Sequence, residues 1–207
     1  MRAVLLALLL FLPAGPATAA DQGSGDPAAP ATVVETLHAA LLHVMRHGSE
    51  LGFEGRYAYL KPVIAGTHDL SYIARVVLGR HWRDLDPGQQ ERFVDVFTRL
   101  VLATYADQFH SYDGERFETI EVGALPRERM LVETRFVESD GEEVDFDYLL
   151  HQRSGNWLII NIVADGVSDL AMKRAEYGAL LAQQGFDALI GRLEAKIDGF
   201  AHGAGSG

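Results

Sequence analysis

Eight histidines, a run of alternating carboxylates and a serine two residues past a glycine are the groups that could do chemistry in this 207-residue chain. His43 and His47 stand four apart, so a helix would put both imidazoles on one face. A zinc protease needs a Glu directly after the first histidine as general base. Residue 44 is Val, and the pair reads as a solvated helix face. His81, His110 and His151 are scattered beside aromatic residues and fit packing as well as ligation, so no metal is assigned. Ser168 lacks the Gly-x-Ser-x-Gly elbow that exposes a nucleophile, and its place before an apolar-periodic run makes it a helix cap. Asp145 and Asp147 could share a proton, as paired catalytic carboxylates do. Glu143 lies on the same strand face, and the three together read as a water-facing surface. Neither Gly-x-Gly-x-x-Gly nor Gly-x-x-x-x-Gly-Lys occurs to cradle a phosphate. With no cysteine there is no thiol nucleophile, Cys-ligated zinc, iron–sulfur cluster or disulfide. No catalytic constellation emerges, and the chain is expected not to be an enzyme.

Periodicity outlines the elements that position these groups. Val33, Leu37, Leu41 and Val44 recur at helical spacing, which predicts a helix over 32–47 with Thr32 as its N-cap. Gly52 to Gly55 reads as a connector. Arg56 to Ala65 reads as a second helix, kinked or broken at Pro62. Asp69 should cap a third helix, Leu70 to Leu78, closed by Gly79. Asp86, Pro87 and Gln89 make the clearest start signal in the chain, a capping box with Pro at the first helical position. The helix that follows carries Phe93, Phe97, Leu100, Val101, Tyr105 and Phe109 as an aromatic stripe and should end near Tyr112 to Gly114.

The period then changes from 3.6 to 2. Four strands are expected: Arg116 to Val122, a second with Met130, Val132, Thr134 and Phe136 on one face, a third with Val144, Phe146, Tyr148 and Leu150, and an apolar fourth from Trp157 to Val163. The turns at Ser139–Gly141 and Ser154–Asn156 are short enough to demand antiparallel neighbours. Two helices close the chain, one from Ser168 to Gly185 and one carrying Phe186, Ile190, Leu193, Ile197 and Phe200. A block of helices, a block of strands and helices again give the α+β class: a twisted antiparallel sheet of about four strands under a shell of helices.

The N-terminus reads as an address. Met1-Arg2 precedes an apolar run from Ala3 to Leu12, too short for the ~20 residues that span a bilayer. Pro13, Gly15 and Pro16 break the run, and Ala17-Thr18-Ala19 supplies a cleavage site. Residues 1–19 are therefore expected to be a cleaved signal peptide, 20–31 a flexible leader, 32–200 a single domain and 201–207 a disordered tail. The whole chain carries a net charge of −11. Removing Arg2 leaves 17 basic against 29 acidic residues, a mature charge of −12. That balance excludes the basic footprint of a nucleic-acid binder and argues against lasting adhesion to anionic membranes.

Several stretches, taken in order, resemble one family. They are Leu78-Gly79-x-x-Trp82, Pro87-x-x-Gln90-x-x-Phe93-x-x-x-Phe97 and Thr104-Tyr105-Ala106. After the strands come Gly155-Asn156-Trp157-x-x-x-Asn161-Ile162-Val163-x-Asp165-Gly166-Val167-Ser168, Arg174-x-x-Tyr177 and Gly185-Phe186-x-x-Leu189. Together they are similar to the MlaC / toluene-tolerance family of periplasmic lipid-binding proteins, from about Val33 to Phe200. Leu37 to Leu42, Leu51 to Tyr57 and Gly114 to Phe117 resemble its hopanoid-associated HpnM subgroup, whereas Val167-Ser168 follows the general family.

The resemblance implies a non-enzymatic carrier without cofactor, located in the periplasm, whose cargo is a phospholipid or a hopanoid. Its implied partners are an outer-membrane lipoprotein complex and the membrane-anchored MCE-domain subunit of an inner-membrane ABC transporter. Each methylene exposed to water costs ~0.8 kcal/mol, so two acyl chains can cross an aqueous space only inside an apolar cavity. The expected lining combines Phe93, Phe97, Val101 and Tyr105 with Met130, Val132, Phe136, Phe146, Tyr148 and Ile159, and Tyr177 closes one end. Arg174 could meet a head group or a surface carboxylate. A solid-core adaptor of the transporter, a hopanoid carrier of the same fold and a lipid-acting enzyme are the competing readings.

Overall fold

The computed structural model describes residues 28–203. The expected signal peptide, most of the leader and the last four residues lie outside the described residues. Helix α1 spans Ala28–Arg46, α2 Gly48–Thr67, α3 Leu70–Leu78 and α4 Pro87–Gln108, with a 3-10 turn at Gly79–Asp84 before α4. Strands β1 (Arg116–Leu125), β2 (Arg129–Val137), β3 (Glu143–Arg153), β4 (Asn156–Ala164) and β5 (Val167–Ser168) follow. The chain then ends in α5 (Asp169–Gln184) and α6 (Phe186–Ala201). The strands form one sheet in sequence order, antiparallel throughout. The α+β class holds, with a fifth strand of two residues beyond the expected four.

Helix boundaries differ from the sequence reading for local reasons. α1 starts at Ala28, four residues ahead of Thr32, because Pro30 falls in the first turn, where its missing N–H has no helical partner to lose. The helix expected over 56–65 reaches from Gly48 to Thr67. Its irregularity sits at Gly52, at φ 58°, while Pro62 lies inside the helix without breaking it. Gly48 is required by close approach, since a Cβ there would fall 1.8 Å from the His110 carbonyl oxygen. α4 stops at Gln108 rather than near Tyr112. The buried Arg56 completes that end, with Nε donating to the Ala106 carbonyl at 2.7 Å and Nη1 to the Gly48 carbonyl at 2.9 Å. It thereby satisfies a terminal helix carbonyl that has no partner of its own. At the other end the Asp86–Gln89 capping box is formed in both directions, at 2.9 and 3.1 Å.

Asp69 does more than cap α3. Its carboxylate accepts from Tyr72 N, from His151 Nε2 at 3.0 Å and from Arg153 Nη1 at 2.8 Å, and its side chain is almost fully buried. Its own N–H donates to the Ile159 carbonyl at 3.0 Å. The start of α3 is thus stitched to the ends of β3 and β4.

Two bulges set which side chains face the helices. In β1, Thr119 opposes Thr134 and Glu121 opposes Glu133, leaving Ile120 without a partner. In β4, Leu149 opposes Asn161 and Leu150 opposes Ile159, so Ile160 is the extra residue. A bulge shifts the two-residue alternation by one. Ile159 faces inward beside Leu150, and beyond the bulge Ile162 and Ala164 face inward beside Tyr148 and Phe146. The opposite face carries Arg135, which pairs with Glu143 and Asp145, each at 2.9 Å. Those carboxylates lie on the outer face, as alternation requires. The core joins Leu37 and Leu41 of α1, Leu60 and Ile64 of α2, Phe93 and Phe97 of α4, Leu150 and Ile159 of the sheet, and Leu189 and Ile190 of α6, all fully buried. Each such side chain contributes roughly 1.5–3 kcal/mol relative to exposure.

Candidate functional site

The sheet and helices do not close everywhere. Over the β3–β4 half of the concave face a cavity of about 480 Å³ remains, roofed by α4 and bounded by α3 and the start of α5. This is within the ~300–1,000 Å³ typical of small-molecule sites. Of the residues expected to line it, Phe97, Val101 and Tyr105 of α4, Phe146 and Tyr148 of β3 and Ile159 of β4 are on its wall. Leu41, Leu70, Ile73, Phe109 and Ile162 are among the other apolar residues of the wall, and Val167, Met172 and the Asp169–Lys173 ion pair stand where β5 runs into α5. Val167 and Met172 are more than half exposed, so an apolar rim faces water there.

Five expected lining residues are packed elsewhere. Phe93 lies one helical turn before the cavity, stacked on Phe97 with ring centres 5.8 Å apart. Tyr177 meets it edge-on at 6.4 Å and is a joint between α4 and α5 rather than a lid. Met130 and Val132 are buried on the β2 part of the inner face, which α1 crosses as it packs on β1, β2 and β4. Phe136 belongs to an aromatic cluster with Phe117 and Phe109, at 4.8 and 6.5 Å. The strand pattern marks the inner face correctly. It does not mark which inner-face residues helices cover and which line the cavity. Arg174 stands outside the cavity wall, with its guanidinium lying across Gly79.

The polar part of the wall was not foreseen. His68 has no motif around it, and its only sequence signal is its place just before the α3 cap. Thr67 Oγ1 donates to the Val63 carbonyl at 2.8 Å. The proton in its 2.9 Å contact with His68 Nδ1 therefore belongs to the imidazole. Nε2 is left as an acceptor and takes the Tyr105 hydroxyl at 3.3 Å. The Tyr148 hydroxyl meets His38 Nε2 at 3.0 Å, and the His38 ring, which is not on the cavity wall, stacks on Phe117 at 3.8 Å. Burial drives both imidazoles below their ordinary value, His38 to about 3 and His68 to about 4, so both are neutral near pH 7. Burial also pushes the Tyr105 and Tyr148 phenols up and keeps them protonated. The chamber wall is mainly apolar, with Thr104, Gln108 and Asn161 among its polar residues and the Asp169–Lys173 ion pair near the start of α5.

Fold and site define an α+β protein built around an apolar chamber between a concave antiparallel sheet and its helices. The chain belongs to the family described as MlaC protein, which matches residues 35–195. It is 23% identical over 130 residues to the intermembrane phospholipid transport system binding protein MlaC of Haemophilus influenzae, covering 61% of each chain. It is 21% identical over 146 residues to the toluene tolerance protein ttg2D of Pseudomonas putida, covering 70% of this chain and 66% of that one. The matched stretches thus span a little under two thirds of these relatives' own lengths. The same fold occurs in the phospholipid-binding protein from Ralstonia solanacearum, solved in complex with a phospholipid. The TM-score is 0.73 at 19% identity, covering 84% of this chain and 98% of that one. No helix among the described residues is long and apolar enough to cross a membrane.

Proposed function

We propose that this chain is a periplasmic phospholipid carrier. It takes the acyl chains of a lipid into the cavity and passes the lipid between an outer-membrane complex and an inner-membrane ABC transporter with an MCE-domain subunit. One observation carries the reading: a mainly apolar cavity of about 480 Å³ is kept open between the sheet and the helices of a member of the MlaC family. A void of that size forfeits contacts its lining would make in a solid core, at ~20 cal/mol per Å² of cavity surface. An occupant restores them. The names of the Haemophilus and Ralstonia proteins point to phospholipid as that occupant. The wall residues on this reading are Phe97, Val101, Tyr105, Phe146, Tyr148 and Ile159, with the exposed Val167 and Met172 at the mouth. The carrier has no cofactor and performs no covalent step. The acidic surface supports release from anionic bilayers, since like charges repel.

The test is organic extraction of gently purified protein followed by mass spectrometry. Stoichiometric phospholipid is the expected result. Protein that emerges empty, and stays empty after incubation with phospholipid vesicles, would overturn the carrier reading in favour of a solid adaptor.

A further inference from the structure

The cavity is long and narrow. Phe97, Val101, Tyr105 and Phe109 of α4 line it in turn. They recur at every fourth residue, so the roof follows one stripe of the helix for ~18 Å. Before Phe97 the helix is packed rather than open: the fully buried Phe93 stacks on Phe97, and Tyr177 meets Phe93 edge-on. At the other end the Phe109 ring meets Phe136, which packs on Phe117. Neither Phe136 nor Phe117 is on the wall. The sheet below is divided as well, since Phe146, Tyr148 and Ile159 line the cavity whereas Met130 and Val132 are buried away from it.

Volume sets what this space can hold. An apolar cavity of ~150 Å³ in a protein takes one benzene, six carbons. By the same ratio about 480 Å³ takes ~19 carbons. One acyl chain of sixteen or eighteen carbons fills it, and the two chains of a membrane phospholipid bring about twice that number. Spread over ~18 Å of helix, the same volume leaves a mean section of ~27 Å², a tube ~6 Å across. Two chains abreast, each ~4 Å thick at carbon contact distance, do not fit in it. A second chain would be left at the mouth, over the exposed Val167 and Met172.

From this shape we infer that the chamber holds one acyl chain and that the preferred cargo is a single-chain phospholipid, a lysophospholipid, with its head group at the mouth beside the Asp169–Lys173 pair. The inference rests on the carrier reading above and narrows its cargo.

The test is loading of delipidated full-length mature protein from mixed vesicles, read by native mass spectrometry. The vesicles hold dioleoyl-phosphatidylglycerol with one part in ten of 1-oleoyl-lysophosphatidylglycerol, so both lipids start with their chains buried. A chamber for two chains replaces all the burial that the diacyl lipid leaves behind, and the protein then carries the two lipids in the vesicle's proportion. A chamber for one chain leaves the second in water, and each exposed methylene lowers loading about fourfold. Enrichment of the lysophospholipid by at least a hundredfold over its share of the vesicle is expected. A second series varies its single chain from fourteen to twenty-four carbons, and loading should hold level to about eighteen and fall beyond. Protein that carries the diacyl lipid in the vesicle's proportion, or a series that stays level to twenty-four carbons, overturns the single-chain chamber and leaves the carrier intact. Protein that takes up neither lipid overturns the carrier reading and this inference with it.

Discussion

His38 and His68 are the residues whose protonation the fold resists most, and this has a definite sign. An unfolded histidine gains its proton as pH falls through 6.5, whereas the folded chain holds His68 neutral to about 4 and His38 to about 3. Both values are lowered, so their stabilisation is complete above pH 6.5 and drains away as pH falls toward the folded values. Between neutrality and pH 5 each imidazole is expected to forfeit about 2 kcal/mol. Urea denaturation at two pH values measures this, and His38→Gln/His68→Gln should flatten the slope. A wild-type stability that stays level across that interval would contradict the burial of these rings as described. Neither residue was legible as a buried hydrogen-bonding group beforehand. A lone histidine in a helical run has the same signature whether its partner is water or a tyrosine far along the chain. The pairs His38–Tyr148 and His68–Tyr105 exist only through tertiary contact.

At the scale of elements, caps and alternation were readable because they are local. Asp69, the Asp86–Gln89 box and Ser168 all cap as their spacing demands. The alternation of β2 and β3 sorted inner from outer residues. What could not be read is which inner-face residues the helices cover and which the cavity leaves open, since that depends on packing between segments a hundred residues apart. Met130 and Val132 were therefore placed on the cavity wall along with Phe146 and Tyr148. Covered and open positions respond differently to added bulk. Val132→Trp crowds a fully packed site and is expected to cost ~1–3 kcal/mol without changing lipid content. Val101→Trp projects into the chamber and should displace cargo with little effect on the melting temperature. Extracted lipid and thermal melts, measured together on both variants, decide the matter. Lipid loss in the β2 variant but not the α4 variant would reverse the two assignments.

For the whole molecule, the expected export of the chain rests on its N-terminal residues, which lie outside the described ones. Intact-mass measurement of protein recovered from the producing cell's periplasm should give a chain beginning at Ala20, and a retained Met1 would remove the basis for free diffusion. The unpaired Ile120 has a consequence at the level of the gene. β1 contains one residue more than its pairing with β2 uses, and that residue is more than half exposed. An in-frame loss of codon 120 would remove the surplus and leave every other partner facing its present neighbour. β2 has no such slack, because it is paired on both sides. Losing codon 134 there would turn half the strand inside out and put Glu133 or Arg135 against the helices. A deletion library screened for soluble, lipid-loaded protein should recover the first and lose the second. The places where this reading frame can shorten and still encode the same protein are thus set by the bulges of its sheet.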